Sequence, residues 1–113
     1  MNRRPADEDV FQAIAHPVRR AILDRLAAGD APVMELTSLS PISPPALSQH
    51  LKVLKDVQLV TERRNGRQRI YHLNPDALAE VRDWLSRYEE FWTARLDNLG
   101  HYLRNKNAIK NPD

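Results

Sequence analysis

Residues 43–73 constrain the fold most tightly: a proline-capped helix leads through a few residues into a hairpin built around Asn65-Gly66. Ser43 is a natural N-cap, and Pro44 and Pro45 fill a first turn where a missing N–H does no harm. The helix continues to about Asp56. Leu47, Leu51 and Leu54, spaced four and three apart, form its buried stripe, while Ser48, Gln49, Lys52 and Lys55 fall on the other side, with Pro45 one turn earlier. Both residues of an Asn-Gly pair accept positive φ. The pair therefore predicts a two-residue turn with Arg64 opposite Arg67, Arg63 opposite Gln68 and Glu62 opposite Arg69.

Charge gathers in the same stretch. Six Lys/Arg (52, 55, 63, 64, 67 and 69) stand against Asp56 and Glu62, a local net of +4, although the whole 113-residue chain carries only +2. Arginines opposed at a hairpin tip repel each other unless an anion lies between them. A helix with one polar face, beside a basic ribbon, has the shape and charge to hold duplex DNA: the helix enters a groove and the ribbon meets phosphates.

Upstream, Asp7-Glu8-Asp9 places acid at the start of a first helix, and Val10, Phe11 and Ile14 give it an apolar side. His16-Pro17 ends that helix and opens a second, with Val18, Ile22, Leu23 and Leu26 as its stripe. Arg19, Arg20 and Arg25 read as a solvated face of this second helix. A short third helix starts at Pro32 and carries Val33, Met34 and Leu36; Ser40-Pro41 is a turn.

Downstream, Asn74-Pro75 predicts the start of one long helix to about residue 104. Its apolar positions are Leu78, Val81, Leu85, Tyr88, Trp92, Leu96, Leu99 and Leu103, close to a seven-residue repeat, and Trp84 and Phe91 widen the stripe. Such a helix would be about 43 Å long, more than a domain of this size covers by itself. A second copy of the chain is the simplest cover, with Phe11, Leu85, Tyr88, Trp92, Leu96, Leu99 and Leu103 at the interface.

The length suits one domain over residues 6–104, with a helix-turn-helix at about 33–57, a hairpin at 59–73, a dimerisation helix at 75–104, and tails at 1–5 and 105–113. The chain has no cysteine, which excludes disulfides and thiolate metal sites. No apolar run approaches a membrane span and no apolar signal segment follows the N-terminus, so the expected setting is the cytoplasm with no membrane partner. There is no Gly-rich phosphate loop, His-Glu-x-x-His or nucleophile elbow, which argues against an enzyme.

The order helix, helix, helix, helix, strand, strand, helix is that of a winged helix-turn-helix, mainly α with a small β-hairpin wing. The residues resemble the ArsR (arsenical-resistance repressor) family of bacterial transcription regulators. The matching pieces are Ala15-His16-Pro17-Val18-Arg19-Arg20-Ala21-Ile22-Leu23, Glu35-Leu36, Pro45 through Leu54, Arg64-Asn65-Gly66-Arg67 and Tyr71-His72-Leu73, within about residues 8 to 104. The resemblance implies a homodimeric repressor on a partly palindromic operator, often its own promoter. It also implies that Ser43, Pro45, Ser48, Gln49 and Lys52 face the major groove and that Arg64, Arg67 and Arg69 belong to the wing; Lys55 and Arg63 join them as basic neighbours. Three positions depart from the family pattern. Pro44 replaces a polar residue, Ser40-Pro41 replaces a Leu-Gly turn, and Gln58 stands where glycine is usual, which implies a left-handed Gln58.

Many members of that family release DNA on binding metal. Asp97 and His101, four apart on one helix face, could hold zinc or nickel, but two ligands fall short of a site unless Glu89 or Glu90 contributes. A surface carboxylate beside a histidine is the plainer reading. The aromatic group Trp84, Tyr88, Phe91 and Trp92 reads first as dimer packing and second as a pocket for an apolar ligand. The residues call for no cofactor, and they leave three alternatives open at this point: a metal-responsive repressor, a small-molecule effector, or a dimeric interaction module that no longer binds DNA.

Overall fold

Asp9 caps the first helix by accepting the Gln12 N–H at 2.8 Å, and the helix lasts only from Val10 to Ile14 (α1) because His16-Pro17 interrupts it. His16 then caps the second, α2 (Pro17–Ala27): its Nδ1 accepts the Val18 N–H at 3.1 Å. The computed structural model describes residues 9–110, with the side chains of Asp97 and residues 105–110 outside the description. Of the expected tails at 1–5 and 105–113, residues 105–110 are instead the end of a helix, and 1–5 and 111–113 lie outside the described residues.

Ala31–Pro32 forms a short strand, β1, ahead of α3 (Val33–Leu36). The sequence predicts only a helix start at Pro32. The strand exists because Ala31 and Pro32 pair with Tyr71 and Ile70, a tertiary contact with no local signal. The next helix, α4, runs Pro44–Asp56 as expected, and the Ser43 hydroxyl accepts the Ala46 N–H at 3.3 Å. The hairpin is β2 (Val60–Asn65) and β3 (Gln68–Leu73), so the described sheet has three antiparallel strands in the order β1-β3-β2.

The turn sits one residue later than expected, which moves every cross-strand partner by two residues. Asn65 pairs with Gln68, Arg64 with Arg69, Arg63 with Ile70 and Glu62 with Tyr71. Gly66 and Arg67 form the loop, and of the turn residues Gly66 alone has a positive φ, 65°. This is the pattern of a turn with glycine first, not of one that needs positive φ at both Asn and Gly.

The chain divides into two compact units, one ending at Val81 and the other starting at Arg82. The first holds the core. Ile22, Leu36, Leu54, Leu59 and Val60 are its largest fully buried side chains, joined by Leu26, Leu47, Leu51 and Tyr71. Phe11, Val18, Leu23, Leu78 and Val81 pack around this cluster.

Gln58 has φ 65°, the left-handed value implied for it. The reversal lets the Leu59 N–H reach the Leu54 carbonyl at 2.9 Å, and Asn74 Nδ2 clasps the Gln58 carbonyl at 2.9 Å. A residue with a Cβ is strained there by about 1–2 kcal/mol, and glycine returns part of that relief as backbone entropy. Gln58→Gly should therefore stabilise the protein by about 0.5–1 kcal/mol. Urea denaturation should show a raised midpoint at unchanged slope; a lowered midpoint would mean that the glutamine side chain contributes more than its backbone strain removes.

The long terminal helix is not continuous. A 3₁₀ turn, Pro75–Leu78, leads into α5 (Ala79–Ser86), and α6 (Glu89–Lys110) follows a break at Arg87-Tyr88. At the break the Arg87 and Tyr88 N–H groups bond three residues back, to Trp84 and Leu85. Asn74 makes no side-chain cap for this segment. Among the described residues, no helix is long and apolar enough to cross a membrane.

Candidate nucleic-acid interface

The buried stripe of α4 orients its other face. With Leu47, Leu51 and Leu54 no more than 2% exposed, Ser43, Pro45, Ser48, Gln49 and Lys52 all reach solvent on the opposite side. Gln49 makes no hydrogen bond among the described residues, so its amide keeps its donors and acceptors free. A surface depression of about 320 Å³ lies beside it, lined by Pro45, Ala46, Gln49 and His50.

Acids divide the basic residues into two groups. Lys52 pairs with Asp56 at 2.8 Å one turn along α4, and Lys55 pairs with Glu62 on β2. Lys55 is the main cause holding the Glu62 carboxyl below its ordinary range. Arg63 reaches Asp30 at 3.0 Å, and His72 reaches the other oxygen of Asp30 at 2.7 Å. These two partners, His72 first, hold the Asp30 carboxyl below its usual value. Arg64 and Arg67, by contrast, are exposed with no ion pair or hydrogen bond among the described residues. Arg69 is also exposed, directly across the ladder from Arg64, with Glu62 in electrostatic reach. Side chains alternate faces along a strand, so Arg64 and Arg69 share one face while Arg63 and His72 share the other, turned to Asp30.

The sequence expected Arg19, Arg20 and Arg25 to be a solvated face; Arg20 is exposed as expected, whereas Arg19 and Arg25 are half-buried, and all three guanidinium groups are engaged. Arg25 bonds the Gly29 carbonyl and pairs with Glu35, and Arg20 bonds the Ile14 carbonyl at 2.8 Å. Arg19 donates to the carbonyls of Ala13 (2.7 Å) and Gln12 (2.9 Å) and faces His50 Nδ1 at 3.2 Å. Burial, with His16 and Arg19 close by, pushes the His50 pKa down. Backbone carbonyls at the end of α1 were the signal available in the sequence, since the His-Pro break leaves the last ones short of regular i+4 helical partners.

On the second unit, Trp84, Tyr88, Phe91, Trp92, Leu96, Leu99, Tyr102 and Leu103 are all more than two-fifths exposed, and Leu85 is half-buried. Trp84 and Tyr88 meet edge to face, with centroids 5.5 Å apart. His101 Nδ1 lies 3.2 Å from Arg104 Nη2; the Asp97 side chain is outside the described residues. Among the described residues no three His, Asp or Glu side chains converge as a metal site.

A short helix, a turn, a helix with an exposed polar face and a basic β-ribbon behind it define a winged helix-turn-helix DNA-binding protein. A helix-turn-helix domain model matches residues 14–63. The HTH-type transcriptional regulator Rv2034 of Mycobacterium tuberculosis is 46% identical over 103 residues, covering 91% of this chain and 94% of that one. The transcriptional repressor SdpR of Bacillus subtilis is 36% identical over 77 residues, covering 68% and 86%. A crystal structure of an ArsR family transcriptional regulator superposes with a TM-score of 0.65 at 34% identity, covering 74% of this chain and 91% of the other. The chain belongs to the ArsR family, whose members are transcription regulators and not enzymes.

Proposed function

We propose that the protein is a homodimeric repressor that binds an operator near its own gene, with α4 in the major groove and the wing on the backbone. The observation that carries this reading is the pairing of an exposed polar face on α4 with Arg64 and Arg67 at the wing tip, which have no ion pair among the described residues. Ser43, Pro45, Ser48 and Gln49 meet base edges or the groove wall, and Gln49 is suited to a two-pronged contact with adenine. Arg64, Arg67 and Arg69 neutralise phosphates and set affinity and register. Lys52, Lys55 and Arg63 sit at the margin, where their acidic partners reduce the charge available to DNA. A second copy covers the exposed apolar side chains of α5 and α6, which gives the two-fold symmetry that a palindromic site matches.

Fluorescence anisotropy on the DNA upstream of the gene, against random duplex and across a salt series, tests the reading. Tight binding to the upstream DNA with weak, steeply salt-dependent binding to random duplex is expected; equal weak binding to both would refute self-regulation. In the same assay Arg67→Ala should weaken both duplexes alike and lower the salt slope by about one. An unchanged slope would mean that Arg67 touches no phosphate.

A further inference from the structure

The leucine stripe of α4 sets which face of the helix is buried, and directional polar contacts refine its rotation on the core. Beside the Lys55–Glu62 pair, one guanidinium supplies such contacts. Arg19 spans the end of α1, through the carbonyls of Gln12 and Ala13, and reaches His50 on α4 at 3.2 Å. The His50 ring in turn lies against His16, centroids 4.4 Å apart, and His16 caps α2. A guanidinium and a backbone N–H can only donate, so Nδ1 accepts in both rings, and each neutral ring carries its proton on Nε2.

The geometry points to Arg19 as a positioning residue: through His50 it locks the rotation of α4 and so determines how well Gln49, the next residue along, is aimed at a base. A base-reading side chain must be held within about half an ångström to keep a two-pronged contact. A phosphate contact made by a long arginine on the wing tolerates more. The bracket should therefore govern discrimination between sequences and leave general affinity for DNA alone. This inference rests on α4 being the base-reading helix.

The test compares operator-over-random binding ratios for the full chain and its His50→Asn, His50→Leu and Gln49→Ala variants. Asparagine places Oδ1 where histidine has Nδ1 and accepts the same N–H; leucine cannot. A hydrogen bond from a charged donor shifts an equilibrium about tenfold, so His50→Leu should lower the ratio about tenfold with random-duplex binding and salt slope unchanged. His50→Asn should restore it. Arg19→Lys, which loses the fork, should lower the ratio too, and adding His50→Leu to it should lower it no further. A defect in His50→Asn equal to that in His50→Leu would overturn the bracket, as would additive losses in the double variant. Gln49→Ala separates the two claims. A ratio unchanged there means that the base-reading assignment is wrong. A lowered ratio there beside an intact one in His50→Leu overturns the bracket alone.

Discussion

Replacing Leu99 and Leu103 together with glutamate should turn the protein into monomers in sedimentation equilibrium and remove its tight binding to the operator. The two leucines are 50% and 46% exposed in one copy of the chain, a state that apolar side chains of this size seldom keep when a stripe of them is continuous. Burying the remaining half of each against a partner is worth about 1 kcal/mol. Two-fold symmetry presents each substitution twice, so four such contacts vanish and the dimer dissociation constant should rise about a thousandfold. Glutamates facing each other across the axis raise it further. A monomer offers one recognition helix instead of two and loses the advantage of binding both half-sites at once. Helical circular dichroism should stay near the wild-type value, because neither leucine belongs to the core cluster of the first unit. Dimers that persist would place the interface away from these residues.

Local chemistry made much of this fold readable. Ser43-Pro44-Pro45 specifies a helix start by itself, and the leucine spacing that follows fixes which side of α4 is buried, hence which side is free. The left-handed turn at Gln58 was legible through the resemblance, since glycine is usual there. Contacts made at a distance were not. Strand β1 is two residues long, one of them a proline, and only its pairing with β3 makes it a strand. Arg63 and His72 converge on Asp30, more than thirty residues upstream of either, and no local pattern joins them. Arg19 likewise looked solvated because its acceptors lie on another helix.

The break at Arg87-Tyr88 is a different case. Its signals were present: the Ser86 hydroxyl bonds the Asp83 carbonyl, which competes with helical pairing, and Glu89-Glu90 supplies the acid that favours a fresh helix start. The unbroken apolar spacing from Leu78 to Leu103 hid them. The one-residue shift at the wing tip has a functional result. It sets Arg64 against Arg69 on one strand face and leaves Arg67 in the loop, so the basic tip presents two arginines side by side and a third at its end.

The second large effect concerns base reading. Gln49→Ala should cost about 1–3 kcal/mol on the operator and relax the preference at one base position in each half-site. The side chain lies on the exposed face of α4, between the buried Leu47 and Leu51, and no described residue satisfies its amide. Free protein therefore gives up only water to form the contact, and alanine leaves the helix intact because it is the better helix former. The loss should be confined to the cognate sequence, since random duplex is held by phosphate contacts that Gln49 does not make. Anisotropy on a set of operators, each changed at one base pair, distinguishes the outcomes. Wild type should discriminate at a position where Gln49→Ala binds all four pairs alike. If the variant instead weakens every duplex by the same factor, Gln49 serves the backbone, and the reading of sequence must pass to Ser43, Pro45 or Ser48, the other exposed uncharged groups on that face.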